Sequence, residues 1–486
     1  MRNLPRPILL IIASYLSQND LCSFALVARN FVQAGQDTLY QHPIVPPPHK
    51  TDREDQTFNF LRTILDNAAL AAKVRSIELY PQQEAVEQQQ VRHVTIDPAA
   101  LSRTAPHRLG KLKNSSSLVS EYALTGAILW NLPNLEDLRY EVYCPIDGLM
   151  PGLTKFGWFE ARAQWPLELM FGAKKKINFV PGLKRLKRLR LTAPHIERRW
   201  CELPMLEYLY VGFDSDMEQR SHQSVGKSPI RTMEMECSTW ALQEYGFYGP
   251  MKDFFKGFDH LTHLTLRIIN QTDPSHRIIN DDDTDAEDNQ TDNLLTYLEH
   301  VSSKLKTLRI LVHADPRGFH AYFVTWVEPA SNWASFTELR HLQIPYGLFL
   351  IESVENRTKL RVPESFPPKL ERLELTCATI ETRFSEFLYA VVDRIAGHAQ
   401  LKEIHIYVSE AWRHEFFKKP GTVTDWGDAW EKLEAAGVSL VIFEGDREGF
   451  TPLYDFSTVR RRAESSSSSD TTDSSSSSSS SSDTTD

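Results

Sequence analysis

Twelve times after residue 50 the sequence returns to one spacing: apolar, two variable positions, apolar, one variable, apolar. The hexads are "VRSIEL" at 74, "VRHVTI" at 91, "LEDLRY" at 135, "LTKFGW" at 153, "LKRLRL" at 186, "LEYLYV" at 206, "IRTMEM" at 230, "LTHLTL" at 261, "LKTLRI" at 305, "LRHLQI" at 339, "LERLEL" at 370 and "LKEIHI" at 401. The end of each hexad alternates, so its last two apolar side chains share one face of an extended segment. Helix-like stretches stand between several of them, at Phe58 to Ala72, Leu118 to Leu129, Asn293 to Val301, Phe384 to Ile395 and Asp425 to Ala435. Strand, loop and helix in repetition build an α/β fold: a parallel sheet with helices on one side.

The hexad resembles the leucine-rich-repeat core L-x-x-L-x-L, whose units stack into a curved solenoid. The likeness is irregular. Hexad spacing runs from 17 to 44 residues, against about 20 to 29 in regular repeats, and no hexad is followed cleanly by the turn-forming asparagine or cysteine. The resemblance implies an irregular solenoid over residues 58–445, with the acidic stretch "NDDDTDAEDNQTD" (280–292) as an inserted loop. In such an array the third and fifth hexad positions tile the concave face. Arginine and tyrosine often anchor interfaces, so Arg188, Arg190, Tyr208, Tyr210 and Arg309 are the expected target-binding residues, suited to an acidic or phosphorylated segment.

The N-terminus poses a separate question. "LPRPILLIIASYL" (4–16) is apolar from Pro7 to Leu16 except for Ser14. As a helix it has no polar face worth the name. One reading is a secretory signal: Arg2 and Arg6 form a basic start, and N-x-S/T sequons stand at Asn114, Asn270, Asn289 and Asn356. The other is a helix held between two apolar surfaces. Pro5 and Pro7 suit a helix start; Ile8, Leu9, Ile12, Tyr15 and Leu16 then form one side, with Leu10 and Ile11 on the other. Asn19 or Asp20 would cap a second helix, a third would run from Phe31 to Tyr40, and "PPP" at 46–48 ends the unit. Three helices this short want a partner.

On Leu4-Pro5, Asp20-Leu21, Ala25-Leu26-Val27, Phe31 and Leu39-Tyr40, in that order, the segment resembles the F-box as written in filamentous fungi. It departs from that pattern at Pro7, where an acidic residue is usual, and at Phe31, a tryptophan in many animal members. The resemblance implies docking on the Skp adaptor and, through it, a cullin ubiquitin ligase. Adaptor binding falls to Leu4, Pro5, Ile8, Leu9, Ile12, Leu16, Leu21, Val27 and Phe31, some of which must instead hold the three helices together. The expected organisation is an F-box at 1–45, a proline-rich linker at 46–57, the solenoid at 58–445, an extension at 446–463 and a disordered serine- and aspartate-rich tail at 464–486.

Composition narrows the alternatives. No apolar run reaches the eighteen or so residues of a membrane span. Five scattered cysteines, none in a C-x-x-C pair, fit reduced thiols in a cytoplasmic or nuclear protein and offer no zinc spacing. The net charge of −10 sits in the acidic loop and the tail, which leaves no basic field for nucleic acid. The sequence holds no phosphate-binding, dinucleotide, zincin or nucleophile-elbow motif. The chain is therefore expected to be a binding subunit without catalysis, cofactor or metal. An F-box protein with a role other than ubiquitination, and a secreted leucine-rich binding protein, remain open readings.

Overall fold

A computed structural model describes residues 4–46, 56–81, 121–141, 180–192, 195–212, 216–218, 227–238, 255–269, 295, 298–312, 333–349, 351–352, 360–361, 366–378, 384–395, 400–408, 427–444 and 451–455. The chain divides into two compact units, Met1–Leu370 and Glu371–Asp486.

The first unit begins with three helices: α1 (Arg6–Ser14), α2 (Gln18–Val27) and α3 (Arg29–Leu39). Pro7 lies in the first turn of α1, where a missing N–H costs nothing. The cap of α2 is Ser17, earlier than the expected Asn19 or Asp20. Its Oγ accepts the Asp20 N–H at 3.2 Å and donates to the Asp20 carboxylate at 2.6 Å, and this reciprocal pair closes the first turn. Gly35 lets α3 approach α2 closely, because a Cβ there would stand 3.1 Å from the Ala25 Cβ and 3.3 Å from the Leu21 carbonyl oxygen.

A parallel sheet follows, its strands in chain order: β1 (Ile44–Val45), β2 (Ser76–Leu79), β3 (Asp137–Glu141), β4 (Arg188–Thr192), β6 (Tyr208–Val211), β8 (Thr232–Ser238), β9 (His263–Ile269), β10 (Thr307–Val312) and β11 (His341–Pro345). Two small side sheets stand apart from it. One pairs β5 (His195–Glu197) with β7 (Asp216–Glu218), the other β12 (Ile351–Glu352) with β13 (Leu360–Arg361). Helices α4 (Gln56–Asp66), α5 (Ala68–Ala71) and α6 (Glu121–Asn131) lie between the early strands.

The hexads explain this register. Their first, fourth and sixth positions are buried wherever they are described, as in Leu135, Leu138 and Tyr140, or Leu186, Leu189 and Leu191. At the entry of each strand one carbonyl accepts two N–H groups from the next: Arg75 from Glu136 and Asp137, Glu136 from Lys187 and Arg188, Lys187 from Glu207 and Tyr208, Glu207 from Arg231 and Thr232. The first rung belongs to the helical segment, where the Gln41 carbonyl accepts from Arg75 and Ser76. Ten of the twelve hexads stand on such strands, including "IRTMEM"; those at 91 and 153 lie outside the described residues, as do the acidic loop and the tail.

In the second unit, β14 (Arg372–Ala378), β15 (Glu403–Val408) and β16 (Ser439–Glu444) are parallel, and β17 (Thr451–Asp455) adds antiparallel to β16. Helix α7 (Phe384–Ile395) precedes β15 and α8 (Gly427–Ala435) precedes β16. Gly437, at φ +77°, ends α8: its N–H reaches the Glu434 carbonyl and the Val438 N–H reaches that of Leu433.

Candidate functional site

Two surfaces carry the sequence expectations. On α1 the inward face is Leu9, 2% exposed, with Ala13. The outward stripe is Ile8, Ile11, Ile12 and Tyr15, at the i, i+3, i+4, i+7 spacing of one helix face, with Leu4 just before it. This divides the helix differently from the sequence reading, which put Leu9 with Ile8 and set Ile11 on the far side. With apolar residues all round, periodicity alone had no polar face to set the phase.

The expected adaptor residues therefore separate. Leu4, Pro5, Ile8, Ile12 and Val27 are exposed, Leu16 is half-buried, and Leu9 and Leu21 (5% exposed) form the interior of the three helices. Phe31 is half-buried edge-on against Phe24, with centroids 4.7 Å apart. Ile11, Tyr15 (86% exposed), Leu26 (88%) and Val32 complete the outward apolar surface; their hydrophobicity was visible in the sequence but their outward orientation was not. Nine of the ten large apolar side chains left exposed among the described residues lie between Leu4 and Ile44; the tenth is Met205.

The helices are fixed to the sheet behind them. Gln18 of α2 donates to the Ile44 carbonyl and accepts the Ile44 N–H, both at 2.9 Å. Asp37 of α3 takes Arg6 at 2.7 Å and also pairs with Lys73, just before β2. Burial alone would raise the Asp37 carboxyl, but hydrogen bonds from Lys73, Arg6 and Gln33 outweigh it and hold the group below its ordinary value. Tyr40 stacks on Phe60 of α4 at 6.1 Å.

Residues 1–45 match the family model of the F-box-like domain. The F-box-like segment coincides with the three helices and their outward apolar surface. No curated protein matches the chain.

The second surface is the sheet face away from the hexad leucines. Arg188 and Arg190 on β4 stand opposite Tyr208 and Tyr210 on β6, so four of the five expected target residues form one block. The Arg188 guanidinium lies over the Tyr208 ring, 5.1 Å from its centroid, and its Nε is 3.7 Å from Asp137. Arg139 on β3 pairs with Glu78 at 3.5 Å and Glu141 at 3.0 Å, and covers the Tyr80 ring. Burial and the hydrogen bond to Glu78 push the Tyr80 hydroxyl up to about 12. Burial also raises Tyr208 and Tyr210, with Glu234 adding to the first and Glu236 to the second.

Arg309 is separate. It sits on β10, three strands from β6, and its Nε donates to Gln343 at 2.7 Å. Thr265, Gln343 and Glu374 were expected on an open face but are buried, Glu374 completely. Alternation places these side chains opposite the leucines but does not set how deeply each is covered: Arg372 and Glu403, on the same kind of position, stay 36% and 46% exposed. Among the described residues no group of three or more His, Cys, Asp or Glu side chains is placed to hold a metal ion, and no helix is long and apolar enough to cross a membrane.

Proposed function

We propose that the chain is the substrate-receptor subunit of a Skp–cullin–F-box ubiquitin ligase. The observation that carries this reading is the concentration of exposed apolar side chains on the F-box-like helices. Exposed apolar side chains concentrated on a small helical unit mark a place where another protein sits, and the partner of an F-box is the Skp adaptor. Through it the chain joins a cullin.

The body is read as an irregular leucine-rich-repeat solenoid. In the first unit its main-sheet strands run in sequence order and in parallel, with the same two-N–H rung at each strand entry from β2 to β11; neighbour-to-neighbour stacking of this kind is how repeat arrays are built. The target docks on the open face around Arg188, Arg190, Tyr208 and Tyr210. Catalysis is then by proximity. The chain holds target and ligase at one separation, and the transferring cysteine belongs to another protein. Work of this kind belongs to the cytoplasm or nucleus.

Affinity purification of the full chain with mass spectrometry tests the proposal. The Skp adaptor and a cullin should be captured together, and both should be lost from a Leu4→Ala/Pro5→Ala variant that keeps its circular dichroism. Capture of neither by the wild type overturns it.

A further inference from the structure

We propose that the open sheet face receives a single carboxylate side chain of an extended, otherwise uncharged protein segment at Arg190, and discriminates against phosphate and acidic runs. This rests on the target-binding reading above and names its chemistry.

The four residues of the block are not equivalent. Arg188 already has the Tyr208 ring beneath it and Asp137 at 3.7 Å. Tyr208 and Tyr210 already face carboxylates, Glu234 and Glu236, which add to burial in raising their hydroxyls. Arg190 differs: its side chain is half-buried, and among the described residues its Nε is buried with no hydrogen-bond partner. A buried donor left unmade destabilises the protein, so Arg190 is held on this face at a cost, and it is the outer nitrogens of its half-buried guanidinium that an incoming acceptor would meet. The guanidinium fork matches a carboxylate in both geometry and charge. Tyr210, its register partner on β6, offers an aromatic side chain for apolar neighbours of that carboxylate.

The surroundings decide how much negative charge the site accepts. Asp137 and Glu141 stand one strand away on β3, Glu234 and Glu236 two strands away on β8. At about 4.8 Å per strand these carboxylates lie close enough to repel any anion on β4. A phosphate near −2 meets roughly twice the repulsion of a carboxylate, and a run of acids repeats it at every residue. Counted over the third and fifth hexad positions and the residues next in line, β2 to β9 present Glu78, Asp137, Glu141, Glu234 and Glu236 against Arg139, Arg188, Arg190 and Arg267. Such a face suits one negative charge at its arginine centre.

The test uses the full chain and four pools of random peptides of about 12 residues, with the central position fixed as aspartate, asparagine, phosphoserine or three consecutive aspartates. The aspartate pool should be retained about tenfold better than the asparagine pool, and better than the other two. Arg190→Met should erase that preference with an unchanged or higher melting temperature, since it removes an unsatisfied buried donor. Better retention of the phosphoserine or triple-aspartate pool, or an aspartate preference surviving in Arg190→Met, overturns the proposal. Retention without charge preference that falls in Tyr208→Ala/Tyr210→Ala defeats the carboxylate claim and leaves the face as the target site. Retention of no pool defeats both.

Discussion

Gln18 and Ile44 form a two-way pair, side-chain amide against backbone, with both bonds at 2.9 Å. In a parallel pair the N–H and C=O of one residue point the same way, and those of Ile44 point away from β2. Ile44 lies on the first strand of its sheet, so this edge would otherwise be open for pairing with another chain. Gln18 closes it from the helical segment. Gln18→Ala should lower stability by about 1–2 kcal/mol, the worth of two ordinary hydrogen bonds, and speed amide exchange at Ile44. Gln18→Glu, which cannot donate to the carbonyl, should behave like the alanine variant.

Asp37 gives the same junction a pH dependence. Its folded value is depressed, so its stabilisation is complete above the unfolded carboxylate value near 4 and fades as pH falls through the folded one. Asp37→Asn should cost about 2 kcal/mol at neutral pH. In acid titrations followed by circular dichroism, wild type and variant should converge below that range.

Leu9 and Ile12, three residues apart on α1, should behave in opposite ways. Leu9→Ala opens a cavity among the helices and should cost about 2–5 kcal/mol. Ile12→Ser touches an exposed side chain and should move stability by no more than about 0.5 kcal/mol, while weakening adaptor binding. Thermal melts beside pull-downs separate the two.

Gly182 holds two layers close. A Cβ there would overlap the Leu129 carbonyl oxygen and stand 2.9 Å from that of Leu132, at the end of α6. Backbone must move to admit it. Gly182→Ala should lower stability by about 1–3 kcal/mol, read as an earlier denaturant midpoint.

Much of this molecule was legible in the hexads, because three positions in six are buried and that burial repeats from strand to strand. Leu209, Leu264 and Leu308 are all fully buried at the fourth position. Strands outside the pattern were missed for a physical reason. Two-residue β1 has no period to show, and β17 owes its place to pairing with β16 rather than to its own sequence. The open face was half legible. Alternation correctly turned Arg188, Arg190, Tyr208 and Tyr210 away from the leucines, but the burial of Gln343 and Glu374 comes from tertiary packing that no local pattern records. The cap of α2 fell to Ser17 because its hydroxyl both accepts from and donates to Asp20, which a propensity ranking of Asn19 and Asp20 does not weigh.

The most direct measurement is a calorimetric titration of the full chain with purified Skp adaptor, for the wild type and for Ile8→Ser/Ile11→Ser/Ile12→Ser. The outward stripe of α1 holds four of the ten large apolar side chains left exposed among the described residues, and interface energy concentrates in a few such anchors. The wild type should bind, and the triple variant should lose at least about a hundredfold in affinity with an unchanged melting temperature. A wild type that does not bind the adaptor, or a triple variant that binds as well as wild type, would contradict the account.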